Sequence, residues 1–100
     1  MKVLSISIAA YNVAYTLKEC LDPFLKSNVL GELDIMVVDD GSSDNTAEIA
    51  EEYHALYPDT FRLIKKENGG WGSTVNTGIK EAKGMYFKQL DGDDYYEPEA

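Results

Sequence analysis

Ile35-Met36-Val37-Val38 runs directly into Asp39-Asp40, and Met85-Tyr86-Phe87-Lys88-Gln89-Leu90 runs directly into Asp91-Gly92-Asp93-Asp94. Short apolar runs that end in turn residues are the pattern of strands buried on both faces. If the two runs are neighbouring parallel strands, both acidic clusters leave the same edge of one sheet, the edge at which open α/β sheets bind ligands. Carboxylates gathered there repel one another unless a cation or hydrogen-bond donors hold them. A divalent metal shared with a polyphosphate-bearing ligand is the chemistry that suits such an edge.

The segments around these runs complete an alternating pattern. Val3 to Ala9 reads as the first strand. Leu17, Leu21, Phe24 and Leu25 form one apolar stripe on a helix over Ala14 to Lys26, with a kink or break near Asp22 imposed by Pro23. Asp34 to Val38 is the second strand, and Gly41 to Asn45 supplies turn residues, with Asp44 or Asn45 suited to cap a helix over Thr46 to Tyr57. Phe61 to Lys65 is the third strand. A glycine-dense loop, Glu67 to Ser73, precedes a helix over Thr74 to Lys83, and Gly84 fits the left-handed residue that closes it. Met85 to Leu90 is the fourth strand. The order β-α-β-α-β-α-β calls for an α/β fold with a parallel sheet of about four strands and right-handed crossovers. So little chain follows the second acidic cluster that residues 1–100 read as one domain that is the first half of something larger.

Composition narrows the partners. A net charge of −9 disfavours nucleic acid and anionic membrane, which attract basic surfaces, so a phosphate ligand needs a local cation. There is no apolar stretch long enough to span a bilayer and no cleavable leader, which points to the cytoplasm. The single Cys20 has no disulfide partner and falls on the apolar side of the first helix, where it packs as a small hydrophobe.

Each motif has a plain structural alternative. With nine Asp in the chain, chance alone produces about one DxD, so position carries more weight than letters. Residues two apart in an extended segment face the same side, which lets Asp91 and Asp93 address one ion while Gly92 allows close approach; the alternative is a solvated turn. Asp39 and Asp40 can accept hydrogen bonds from a base edge or a ribose, or can belong to a capping loop. Tyr11, at the end of the first strand, can stack on a nucleobase or be a half-buried core residue. The amides of Asn68-Gly69-Gly70-Trp71-Gly72 can meet a phosphate at a helix start, but the spacing fits neither the dinucleotide fingerprint nor the P-loop. Trp71 reads as a lid or packing residue, and His54 as a surface residue without a metal partner.

In order and at their separations, ISIAAYNVAYTLKECLDPFL, IMVVDDGSSDNTAEIAEEY, ENGGWGSTVNTGIKEAKG and LDGDDYYEPE resemble the N-terminal half of family 2 glycosyltransferases with the Rossmann-like GT-A fold. The resemblance covers nearly the whole chain. It implies a nucleotide-sugar site, for a UDP-sugar in the first instance, built from Tyr11, Asp39, Asp40, Asp91 and Asp93, with Asp93 and Asp91 holding Mg²⁺ or Mn²⁺ against the diphosphate. The implied reaction is inverting transfer of a hexosyl group to a hydroxyl of a glycan or lipid-linked acceptor, as in polysaccharide biosynthesis. It places the full-length enzyme in the cytoplasm or at the inner membrane face. The family's acceptor-binding half and its catalytic carboxylate base have no counterpart here, so no catalytic residue is assigned and the chain by itself is expected to be inactive. The chain departs from many members at Ala9-Ala10, where they carry Pro or Thr, and at Val75, where they often carry Arg. Two other classes fit parts of the pattern. A noncatalytic nucleotide-binding module shares every feature, whereas a receiver-like phosphoacceptor domain places its acid pair after the first strand, not the second. An open sheet edge also allows a homodimer.

Overall fold

The computed structural model of the chain describes residues 2–26 and 30–91, with the backbone alone at 71 and 91. Four strands, β1 (Leu4–Ala10), β2 (Leu33–Asp39), β3 (Phe61–Lys65) and β4 (Tyr86–Asp91), form one wholly parallel sheet in the order β3-β2-β1-β4. Helices α1 (Ala14–Leu21), α2 (Thr46–Leu56) and α3 (Trp71–Glu81) connect them. The expected α/β fold and strand count are those observed.

Alternation along the strands explains the layers. Ile6, Ile8 and Ala10 of β1 point with Ile35 and Val37 of β2 into one core, closed by Leu17, Cys20 and Leu21 of α1 and by Ile49, Ala50 and Tyr53 of α2. The opposite face of the same strands carries Ser5, Ser7 and Asp34, all buried, beneath α3. That face mixes these polar groups with the buried Met36 and Val38 and is closely packed: a Cβ placed on Gly78 of α3 would stand 2.2 Å from the Ser7 hydroxyl oxygen. Because α1 and α2 carry the chain one way across the sheet on one face and α3 carries it back on the other, all three crossovers have the same hand.

Local departures from expectation have local causes. The first helix ends at Leu21 and gives way to a 3₁₀ turn over Asp22–Lys26, where Pro23 offers no amide; Phe24 still reaches the core. The Tyr53 hydroxyl donates to Asp22 and so ties α2 to that turn, and burial followed by the Asp22 bond pushes the phenol pKa upward. The third helix begins three residues before Thr74, because Gly70 turns the chain into it at φ +88°. It ends at Glu81, with Ala82 already extended. Gly84 does not adopt the positive φ expected of it; among the described glycines Gly41 and Gly70 do. What Gly84 provides is close approach, since its amide donates to the Ser5 hydroxyl at 2.7 Å and an added Cβ would stand 2.7 Å from the Ser5 nitrogen. His54 is half-buried, its Nδ1 2.7 Å from the Phe61 carbonyl oxygen, so it joins α2 to β3 rather than lying free on the surface.

Candidate functional site

In this strand order the first chain crossing leaves β1 toward β2, while the last returns to the other side of β1. The crevice between the carboxyl ends of β1 and β4 is therefore a topological switch point, where open α/β sheets place their ligands. Register determines what reaches it. Ala10 pairs with Asp39, Asp39 pairs with Lys65, and Ala9 pairs with Asp91. Read across the edge, the strand ends present Lys65, Asp39, Ala10 and Asp91, with Tyr11 immediately beyond Ala10. The backbones of Asp39 and Asp91 lie two strands apart, roughly 10 Å. Asp93 lies outside the described residues, as does the side chain of Asp91.

The loop after β1 is shaped by Asn12 in the left-handed region, φ 52°. Asparagine tolerates that conformation better than most residues, and here its amide oxygen accepts from the Ser43 amide at 2.8 Å and the Asp44 amide at 3.3 Å. The Asn12 amide donates to the Ser42 hydroxyl at 2.9 Å, and the Val13 amide to the Thr46 hydroxyl at 3.0 Å. Asp44 then bridges two helix starts, accepting from the Thr46 amide with one oxygen and from the Ala14 amide with the other. Asn45 holds the N-cap position of α2 without a side-chain cap bond, and it is the Asp44 carboxylate that accepts from the first helical amide. These bonds knit the loops after β1 and β2 into one unit and leave the Tyr11 ring about half exposed at 52%.

Asp39 and Asp40 are both buried at this edge. Asp39 Oδ1 accepts from the Ser42 amide at 3.1 Å. Asp40 is held on several sides. Its Oδ1 accepts from Lys66 Nζ at 2.6 Å and from the Gly69 amide at 2.8 Å, and its Oδ2 from the Gly70 amide at 3.0 Å. Its carbonyl oxygen accepts from Asn68 Nδ2 at 3.1 Å, and its own amide donates to Ala10. Burial pushes the Asp40 carboxyl up, but the Lys66 ammonium and the two glycine amides outweigh it and hold the group below the ordinary carboxylate value. Two of the amides expected to receive a phosphate are therefore engaged by Asp40.

Sequence reasoning missed Lys66 and the side-chain roles of Asn68, singled out only for its amide, and of Asn12. Lys66 had a usable signal, since it follows the third strand by one residue and so must emerge beside the acids that follow the second. Asn12 had only its place after Tyr11. Among the described residues no group of three or more His, Cys, Asp or Glu side chains gathers as a metal cluster, and no helix is long and apolar enough to cross a membrane.

Strand order and edge chemistry together define an open α/β ligand-binding domain. More narrowly, the chain belongs to glycosyl transferase family 2, whose family model matches residues 5–100. It is 41% identical over 98 residues to the chondroitin synthase of Pasteurella multocida (strain Pm70), covering 98% of this chain and 10% of that protein. It is 43% identical over 93 residues to the uncharacterized glycosyltransferase EpsJ of Bacillus subtilis (strain 168), covering 93% of this chain and 26% of that one. In structure it is similar to S. aureus TarS 1–349 in complex with UDP-GlcNAc, at TM-score 0.86 and 31% identity over 99% of this chain and 28% of that one. It is also similar to the mannosyltransferase PcManGT of Pyrobaculum calidifontis in complex with GDP-Man and Mn²⁺, at TM-score 0.84 and 25% identity over 93% of this chain and 28% of that one. The chain thus spans between about a tenth and a quarter of the length of these two curated relatives, 10% and 26%. Family membership leaves the receiver-like alternative without support.

Proposed function

We propose that residues 1–100 are the donor-binding part of an inverting, metal-dependent glycosyltransferase that uses a UDP-sugar. The observation that carries this is the convergence of the ends of β1, β2 and β4 on one edge, across a switch point, in a chain whose structural relatives hold nucleotide sugars. Tyr11 would stack on the base, Asp39 and Asp40 would accept hydrogen bonds from base or ribose, and Asp91 and Asp93 would face the diphosphate. The strand register supports that division, because Asp91 is separated from Asp39 by the width of β1.

Mg²⁺ or Mn²⁺ fits this end of the edge. Lys66 already compensates Asp40, which leaves the metal to the acids that the family resemblance assigns to it, Asp91 and Asp93. Hard divalent cations bind through one or two carboxylates together with substrate phosphates, which is the donor set Asp91, Asp93 and a diphosphate would provide. When bound, the metal neutralises charge that develops on the departing diphosphate. The residues of this chain bind and orient the donor; the acceptor hydroxyl, its glycan or lipid-linked carrier, and the carboxylate base belong to the remainder of a longer enzyme. Isothermal titration of UDP tests the assignment. Mn²⁺ should tighten binding about tenfold or more, and Asp93→Ala should abolish that gain. Equal UDP affinity with and without metal would overturn it.

A further inference from the structure

We propose that Lys66 is a positioning residue for the nucleoside end of the site, a role that rests on the donor-binding function above. The Lys66 ammonium and the Gly69 and Gly70 amides fix the Asp40 carboxylate in one orientation. Lys66 is itself held, its amide donating to the Asp39 carbonyl at 3.0 Å and its Nζ to the Glu67 carbonyl at 2.6 Å. The ion pair is largely shielded, with side chains 16% and 6% exposed. Gly41, at φ +78°, lies so close to Asn68 that a Cβ there would stand 3.0 Å from the Asn68 nitrogen, which sets the two loops against each other.

An ionised carboxylate offers about four acceptor positions. Two donors meet Oδ1 of Asp40 and, among the described residues, one meets Oδ2. Among the described residues Asp40 therefore keeps one acceptor position for a ligand, and its charge ensures that it accepts and never donates. A nucleoside hydroxyl or ring N–H meets that requirement; a bare anion does not. Lys66 stands at the β3 end of the edge, away from Asp91, so its effect should fall on nucleoside recognition and not on the metal.

The test is titration of UDP, without metal, into the wild-type chain, Lys66→Met, Lys66→Arg and the double variant Lys66→Met/Asp40→Asn. Thermal unfolding of each is the control for folding. Lys66→Met should raise the Kd for UDP about tenfold, and Lys66→Arg should restore it to within about threefold of wild type, because the charge and its donors return. The double variant buries no unpaired charge and keeps the inference testable if Lys66→Met fails to fold; it too should bind about tenfold more weakly. A folded Lys66→Met or double variant with wild-type affinity would overturn the role of Lys66 and leave the nucleotide assignment standing. Equal loss in Lys66→Arg and Lys66→Met would overturn it as well. Absence of UDP binding by the wild-type chain would overturn the nucleotide assignment itself.

Discussion

Asp34 shows how one buried charge organises the end of the sheet opposite the site. Its carboxylate meets Arg62 through two bonds, at 2.9 and 3.1 Å, and also accepts from the Ser5 hydroxyl at 2.8 Å and the Lys83 amide at 3.0 Å. Arg62 in turn donates to the Glu81 carbonyl at 2.6 Å, so the network locks the end of α3 against β1, β2 and β3. Removing Asp34 takes a buried acceptor from the Ser5 hydroxyl and the Lys83 amide and leaves the partly exposed Arg62 with its contacts to Glu81. Asp34→Ala should therefore cost about 3 kcal/mol or more in urea unfolding, well above the typical surface substitution. Burial pushes the Asp34 carboxyl up, but Arg62, the Lys83 amide and Ser5 together hold it below its ordinary value of 3.8. Asp40 and Asp44 shift in the same direction. A carboxyl whose folded value is depressed favours the folded state at pH above the unfolded value, and that contribution drains away as pH falls through the folded one. Urea midpoints should thus be level between pH 6 and pH 7 and drop below pH 3.8. A midpoint unchanged at pH 3 would contradict the role given to these groups.

Among the elements, the strands were legible and the third helix was only partly so. The β2 interior, Ile35 to Val38, is an uninterrupted apolar run, and the other strands are short apolar-rich segments bounded by turn residues, a signal that survives without tertiary information; β3 has the bounds expected of it. The start of α3 was misplaced because glycine normally marks a break. Here Gly70 is the turn into the helix and Asp40 receives the amides that precede it, a contact between residues 30 positions apart that no local pattern reveals. The acidic pair was legible as an edge feature for the same reason that β2 was, whereas the engagement of Asp40 by Lys66 depends on β3 lying beside β2. Gly78 was missed because its function is steric. Its added Cβ would stand 2.2 Å from Ser7 Oγ and 2.6 Å from Ser7 Cβ, far inside ordinary contact. Gly78→Ala should cost about 1–3 kcal/mol despite the better helix propensity of alanine, because overpacking outweighs a propensity gain of about 1 kcal/mol. Adding Ser7→Gly should recover much of the loss in the same thermal unfolding measurement. A Gly78→Ala chain as stable as wild type would show that α3 does not press on β1 as described.

At the scale of the molecule, the fold separates two jobs between the two ends of one parallel sheet. The amino-terminal edge holds the Asp34–Arg62 network, which fixes α3, while the carboxyl edge gathers Tyr11, Asp39, Asp40 and Asp91 around the switch point. A Mn²⁺–UDP complex bound at the carboxyl edge would relax nearby nuclear spins and leave distant ones untouched. In amide-detected NMR of the 100-residue chain, adding Mn²⁺ with UDP should broaden the signals of residues 10–12, 39–41 and 91–94 together. Those of Ser5, Asp34 and Lys83, at the other end of the strands, should remain sharp. Broadening confined to Ser5, Asp34 and Lys83, or reaching residues 91–94 while sparing 10–12 and 39–41, would contradict a single ligand site formed by the ends of β1, β2 and β4.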